Sequence, residues 1–219
     1  MIANRGKIDR LLLARASRAL SRRDPSLGAW IRRVGPCGLR RRGDPYSALV
    51  HAVLHQQLAG AAAAAIGLRV RVLGKGRFPR PAALLALREQ ALRSAGLSRR
   101  KIVTLRAVAE AFRNGRISTR LLVRMDDAEV VETLTEIDGI GEWTAHMLLI
   151  FSLGRPDVLP VGDYGVRKGA QRLYALSDLP RSVELEQIGE PWRPYRSVAS
   201  WYLWQIAQAT RRLMEGGTG

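Results

Sequence analysis

A helical repeat that runs through almost the whole sequence, with few strand signals beside it, constrains the fold more than any other feature. Apolar residues recur every three to four positions, the spacing that collects them on one face of an α-helix. Eight segments show this pattern: 8–20, 46–66, 81–92, 98–112, 126–137, 143–153, 164–176 and 197–213. The turn dipeptides Asn114-Gly115 and Asp138-Gly139 fall at the ends of such segments, not between alternating apolar and polar runs. The sequence therefore predicts an all-α fold.

Length and composition restrict the class of protein. The 219 residues suffice for a substantial core, and a hydrophobic fraction of 47% argues against general disorder. The longest bland stretch, 59–66, is too short to span a membrane, and no apolar segment with a cleavage site follows the basic N-terminus. Cys37 is the only cysteine, which excludes an internal disulfide and a four-cysteine metal or iron–sulfur site within one chain. We expect a mature cytoplasmic protein.

The charge balance points to a polyanionic partner. Thirty-six Lys and Arg residues against 19 Asp and Glu residues give a net charge of +17. A field of this sign and size favours nucleic acid, although the solvated surface of an arginine-rich protein would have the same composition. Charge therefore indicates nucleic acid binding but does not say what is done to the nucleic acid.

Residues 134–145 (LTEIDGIGEWTA) form the most distinctive segment. Two amphipathic helices are joined by a turn in which Gly139 and Gly141 flank Ile140. Glycine permits positive φ and close approach of another molecule, and the start of the second helix presents backbone amides to a phosphate. We expect Gly139, Ile140, Gly141 and Thr144 to contact the phosphate backbone without reading base sequence. An ordinary tight turn is the alternative for an isolated Gly-x-Gly pattern.

Three further segments accompany the hairpin in a specific order. They are 44–58, which begins Asp-Pro-Tyr and ends VLHQQL, then 158–168 (VLPVGDYGVRK), and 191–204 (PWRPYRSVASWYLW). With the hairpin, they resemble the helix-hairpin-helix superfamily of DNA glycosylases, specifically the 3-methyladenine DNA glycosylase II family, over roughly residues 8–213.

The resemblance implies an architecture for the whole chain. It predicts one glycosylase unit over residues 1–219, built as two helical lobes with a central DNA-binding cleft. One lobe would span about 50–154, including the hairpin, and the other would combine 1–49 with 155–219.

The resemblance also makes Asp163 the catalytic aspartate. Cleaving an N-glycosidic bond builds positive charge on the sugar, which a fixed carboxylate stabilises while it orients or deprotonates water. A cationic alkylated base is already a good leaving group, so one carboxylate can suffice. Taken by itself, Asp163 would be interpreted as a helix N-cap, and the two roles are compatible.

A missing lysine predicts the outcome of the reaction. Bifunctional relatives, which also nick the strand, carry a Schiff-base lysine two residues after the second hairpin glycine. Trp143 occupies that position here, and Lys168 lies a turn beyond Asp163, where we expect a phosphate contact. The resemblance therefore implies simple hydrolysis of alkylated purines of the 3-methyladenine type, leaving an abasic site for base excision repair.

The target base must leave the duplex to reach such a site. Trp143, Trp192 and Tyr195 match aromatic positions near the family's base pocket, where stacking and cation–π attraction favour a methylated base. Tyr202 and Trp204 are expected to pack in the core. By register, Gln57 would fill the gap left in the duplex, with Leu58 as second choice. The alternative is that Gln56 and Gln57 cap or form hydrogen bonds inside a helix.

The expected partner is double-stranded DNA with damaged bases, bound by a monomer associated with the nucleoid and not with a membrane. The three histidines form no metal-ligand pattern, so no metal or cofactor is expected. A monovalent cation on the hairpin carbonyls of the DNA-bound form is compatible with the resemblance. Two alternatives stay open: a glycosylase for a deaminated or mismatched base, and a non-enzymatic helix-hairpin-helix DNA-binding module.

Overall fold

The computed structural model describes residues 8–58 and 60–215, with side chains up to residue 209. Its α-helices are α1 (Arg10–Arg23), α2 (Pro25–Val34), α3 (Pro45–His55), α4 (Gly60–Leu73), α5 (Pro81–Ala86), α6 (Glu89–Ser94), α7 (Arg99–Arg113), α8 (Thr119–Arg124), α9 (Asp127–Thr135), α10 (Glu142–Leu148), α11 (Tyr164–Leu173), α12 (Ser182–Gly189) and α13 (Arg196–Glu215). A π-helical turn, Leu149–Leu153, continues α10, and a 3₁₀ turn, Glu190–Trp192, precedes α13. The described part contains no strand, which confirms the all-α class.

Short polar side chains fix where the helices start. An oxygen of each accepts the backbone N–H three residues later, which satisfies a donor that the helix leaves unpaired and stabilises it by about 1 kcal/mol. The capping residues are Asp9, Asp24, Asp44, Ser98, Ser118, Asp126 and Asp163. Proline in the first turn of α2, α3 and α5 adds a backbone φ that is already helical.

Two predicted helices are interrupted. The segment 46–66 is split into α3 and α4 because Gln57 adopts a left-handed backbone with φ of 54°. The segment 81–92 is split into α5 and α6 because Leu87 and Arg88 are extended. Helices α2, α8 and α12 lie outside the predicted segments.

The chain forms two compact units. The central unit comprises residues 42–153, and the terminal unit combines residues 1–41 with 154–219. The first boundary precedes the expected residue 50 because α3 begins at Pro45 and packs against α4, α7 and α10 of the central unit.

The terminal unit is built around α13, which packs against α1, α2 and α11. A methyl group on Gly169 of α11 would lie 2.2 Å from the carbonyl oxygen of Leu203, so glycine is required where these two helices meet. No described helix of either unit is long and apolar enough to cross a membrane.

Candidate functional site

The hairpin between α9 and α10 needs its two glycines for different reasons. Gly139 has φ of 79°, and a methyl group there would lie 2.0 Å from the Thr104 hydroxyl oxygen on α7. Gly141 has φ of −105°, and a methyl group there would meet nothing within 4 Å. Ile140 between them is buried, so only its backbone can face a ligand. Gly139 is therefore required by the fold, whereas Gly141 keeps the outer surface of the turn clear.

The start of α10 leaves its backbone donors without a side-chain cap and has the acidic Glu142 in its first turn. Gly141 is the N-cap residue, and no side chain caps this end of the helix. The Gly141 carbonyl accepts the N–H groups of Thr144 and Ala145, at 2.9 and 3.1 Å, which begins the helical ladder. A helix start without a side-chain cap is where backbone donors are presented to phosphate.

Gln56, for which hydrogen bonding was the alternative to gap filling, connects the hairpin to the turn after α3. The Gln56 side-chain amide Nε2 donates to the Gly139 carbonyl and to the Thr144 hydroxyl oxygen, both at 3.0 Å. Gln57 and Leu58, which follow it, are exposed, and Gln57 has the left-handed backbone. The Gln56 side chain therefore links the hairpin to the turn that carries the predicted gap-filling residues, within the central unit.

Thr144 corrects one prediction. The residue was expected to contact the phosphate backbone, but it is 1% exposed, its backbone N–H donates to the Gly141 carbonyl and its hydroxyl accepts the Gln56 hydrogen bond. Thr144 therefore stabilises the hairpin from inside.

Asp163 caps α11 and meets a tryptophan from α13. Its Oδ1 accepts the Val166 backbone N–H and the Trp204 indole Nε1–H, each at 2.8 Å. A methyl group on Gly165 would lie 2.8 Å from Trp204 Cδ1 and 3.1 Å from that carboxylate oxygen, so the glycine leaves room for the contact. The carboxylate is half-buried and held by two donors from different helices. Trp204, which was expected to serve the core, is a site residue that local sequence did not identify.

The loop leading to Asp163 is anchored on the start of α13. Ser197 Oγ donates to the Arg155 carbonyl at 2.7 Å and accepts the Val158 N–H at 2.9 Å. Arg196 binds Asp157 through Nε to Oδ1 at 2.8 Å and Nη2 to Oδ2 at 3.1 Å. Bidentate pairs of this kind fix direction as well as distance. Because α13 also carries Trp204, one helix holds both the loop and its carboxylate.

The aromatic predictions have mixed outcomes. Trp192 is fully buried and its Nε1 donates to Asp24 Oδ2 at 2.9 Å, so its ring belongs to the core of the terminal unit and not to an open base pocket. Tyr195 is 7% exposed, and Trp143 is half-buried in the first turn of α10. Tyr164, directly after Asp163, is 67% exposed. Its position next to Asp163 in the sequence could have marked it as a candidate site residue.

Two further groups were considered as ligands. The Lys168 ammonium donates to Gln171 Oε1 at 2.7 Å, one turn along the same helix. Within the described residues, no group of three or more His, Cys, Asp or Glu side chains could hold a metal ion. The candidate chemistry of the terminal unit therefore centres on the Asp163 carboxylate, and that of the central unit on the hairpin and the Gln56 turn.

Known proteins are similar to this chain over most of its length. The DNA-3-methyladenine glycosylase 1 of Schizosaccharomyces pombe is 37% identical over 201 residues, which cover 90% of this chain and 88% of that protein. A solved S. pombe 3-methyladenine DNA glycosylase in complex with abasic DNA matches with a TM-score of 0.84 at 36% identity, covering 89% of this chain and 97% of the other. For the DNA-3-methyladenine glycosidase of Bacillus halodurans, the TM-score is 0.78 at 38% identity, with 90% and 91% covered.

A family model agrees with these relatives. The model described as "HhH-GPD superfamily base excision DNA repair protein" matches residues 50–194, which include the hairpin, Asp163 and Trp192. The match confirms the resemblance to helix-hairpin-helix glycosylases and the fold it implied. This chain belongs to the HhH-GPD superfamily of base excision DNA repair proteins.

Proposed function

We propose that this protein is a monofunctional DNA glycosylase that hydrolyses the N-glycosidic bond of alkylated purines, of the 3-methyladenine type, and leaves an abasic site. The similar proteins named above are 3-methyladenine DNA glycosylases, and one of them was solved with abasic DNA. The observation that carries the proposal is the Asp163 carboxylate, held at 2.8 Å by both the Val166 amide and the Trp204 indole.

The reaction uses that carboxylate as a fixed negative charge. The bond between the sugar C1′ and the purine nitrogen breaks, and its electron pair leaves with the base, which neutralises an alkylated cationic purine. Positive charge develops on the sugar and is stabilised by Asp163. Water then adds to C1′ and loses its proton to the carboxylate or to solvent. Because Asp163 is oriented before substrate arrives, little reorganisation is needed when the charge forms.

The lack of a suitably placed lysine supports hydrolysis without a lyase step. A lyase needs an amine that attacks C1′ and forms a Schiff base. Trp143 occupies the hairpin position of that lysine, and the Lys168 ammonium is hydrogen-bonded to Gln171. The strand should therefore remain intact after the base leaves.

The central unit supplies the grip on DNA. Backbone groups at Gly139 to Gly141 bind a phosphate, and the exposed Gln57, followed by Leu58, fills the gap that the flipped nucleotide leaves. The reaction needs no cofactor. The hairpin carbonyls would be the groups that hold a monovalent cation if one binds together with DNA. The protein acts as a monomer on damaged duplex DNA of the cytoplasmic nucleoid.

Base release from methylated duplex DNA tests the proposal. Wild type should release methylpurines, identified by chromatography, while the strands stay intact on a denaturing gel until alkali is added. In Asp163→Asn the amide oxygen can still accept from Val166 and Trp204, so the fold is kept and only the charge is lost. We expect excision to fall by roughly 10²–10⁴-fold, the usual range for a lost charge-stabilising or acid–base group.

A matched control distinguishes the effect of the Asp163 charge on excision from its effect as a helix cap. Asp126 caps α9 through the same kind of bond, to the Glu129 N–H at 2.9 Å, so Asp126→Asn should excise like wild type. Excision by Asp163→Asn at the wild-type rate would refute the catalytic assignment. Release of a deaminated base instead of methylpurines would assign another lesion, and tight duplex binding without release of any base would favour a binding module.

A further inference from the structure

A second cationic site lies on the outer face of α3, apart from the hairpin. His51 and His55 are one helical turn apart, and their rings stack at a centroid distance of 4.2 Å with an angle of 23° between them. Three basic side chains from other segments act on these rings: Arg42, Arg71 and Lys101. We call these five residues the histidine patch; all belong to the central unit.

The patch is a concentration of like charge. Besides partial burial, the charges that lower the pKa of His51 are those of His55, Arg42 and Arg71, and those that lower the pKa of His55 are Lys101 and Arg42. In the free protein these neighbouring cations disfavour protonation of either histidine ring, because a charged ring would be repelled by them. An external anion would relieve that repulsion.

The cations are also held in place before any anion arrives. The Arg42 guanidinium lies 5.7 Å from the Phe151 ring centroid, and that of Arg71 lies 4.7 Å from the Phe78 centroid. Lys101 Nζ donates to the Leu54 carbonyl at 2.6 Å, one residue before His55. Side chains restrained in this way lose less conformational entropy on binding than freely solvated ones.

We propose that the histidine patch binds a phosphodiester of the DNA strand and takes up one proton as it does so. This inference rests on the proposed function for the identity of the anion. Nucleic acid fits better than an acidic protein segment because the chain carries a net charge of +17 and His55 directly precedes the Gln56–Leu58 turn, which we place in the duplex. An imidazolium donates two hydrogen bonds, and a phosphodiester accepts them.

The proton uptake follows from the state of the free patch. Partial burial, followed by the charges of His55, Arg42 and Arg71, lowers the pKa of His51 to about 4, so its ring is neutral at pH 7. Partial burial, then Lys101 and Arg42, also lowers the pKa of His55. A bound phosphate favours the protonated ring and raises its pKa. Since the complex then binds more protons than the free protein, DNA affinity must rise as pH falls.

The size of this effect can be worked out. If phosphate restores one histidine from about 4 to its ordinary pKa of about 6.5, the affinity at pH 5.5 exceeds that at pH 7.5 by about tenfold. We would measure this by fluorescence anisotropy with undamaged labelled duplex at constant ionic strength. The variant His51→Gln/His55→Gln, which keeps polar side chains but cannot gain a proton, should lose the pH-dependent increment.

His146→Gln is the matched control, because it removes the remaining histidine of the chain and should retain the wild-type pH dependence. Arg71→Gln should reduce the slope of log affinity against log salt by about 0.9, the value for one phosphate contact. Unchanged pH dependence in His51→Gln/His55→Gln would overturn the proposal. A second result would also overturn it: poly-glutamate binding that strengthens as pH falls while duplex binding does not depend on pH. That result would assign the patch to an acidic protein segment.

The test is independent of catalysis because the duplex is undamaged. If wild type shows the pH-dependent affinity but releases no methylpurine, the proposed function fails and the patch stands. If His51→Gln/His55→Gln keeps the wild-type pH dependence while wild type excises methylpurines, the patch fails and the function stands.

Discussion

Gly139 and Gly141 give the sharpest test of how the hairpin is built, because the same substitution should act in opposite ways only two residues apart. Gly139→Ala puts a methyl group 2.0 Å from the Thr104 hydroxyl oxygen and forces alanine to adopt φ of 79°. The left-handed backbone costs roughly 1–2 kcal/mol, and overpacking a buried contact adds about 1–3 kcal/mol. We therefore expect Gly139→Ala to lower the free energy of unfolding by about 2–5 kcal/mol.

Gly141→Ala should leave the fold intact. Its φ of −105° suits alanine, and the new methyl group meets nothing within 4 Å. Replacing glycine at a compatible position stabilises a protein by about 0.4–1 kcal/mol. If the backbone of this turn approaches a phosphate, however, the methyl group stands between them, and duplex affinity should fall without loss of stability.

Thermal unfolding and duplex binding of the two variants are the assays. For a chain of this size each kcal/mol shifts Tm by about 2–4 °C, so Gly139→Ala should unfold roughly 4–20 °C below wild type. Gly141→Ala should match the wild-type Tm or exceed it slightly. Equal Tm values for wild type and Gly139→Ala would refute the argument from Thr104, and wild-type affinity in Gly141→Ala would refute the close approach of phosphate.

Two further predictions concern indole hydrogen bonds in the terminal unit. Trp204→Phe removes the hydrogen-bond donor to Asp163 but keeps an aromatic ring. Losing a hydrogen bond to a charged group costs at least about 1.5 kcal/mol, so excision should slow about tenfold or more. The control variant Trp201→Phe, on the same helix, should excise at the wild-type rate. Asp24→Asn replaces a buried carboxylate that accepts hydrogen bonds from the Leu27 N–H and the Trp192 Nε1–H. It should lower the free energy of unfolding, measured with urea, by about 1–3 kcal/mol. An unchanged free energy of unfolding would show that these hydrogen bonds do not stabilise the fold.

The sequence was a reliable guide where structure depends on local chemistry. The apolar period identified most helices. Asp163 caps α11, which is the role that the residue type alone predicted for it. The same local rules failed at the Gln56–Leu58 turn, because a continuous apolar pattern contains no sign that Gln57 will be left-handed. That conformation coincides with the two Gln56 hydrogen bonds to the hairpin, whose partners are more than 80 residues away in sequence.

The two tryptophans show why the site could be predicted only in part. Trp192 lies in an irregular segment and was expected in an open pocket, while Trp204 lies on a regular helix and was expected in the core. The structure reverses these roles. A buried or half-buried indole needs a hydrogen-bond acceptor for its N–H, so the position of the acceptor determines where the ring packs. Asp24, 168 residues away, draws Trp192 into the core, and Asp163, with room left by Gly165, receives Trp204. The irregular segment around Trp192 therefore did not predict its role, because a carboxylate distant in sequence determines which tryptophan belongs to the site.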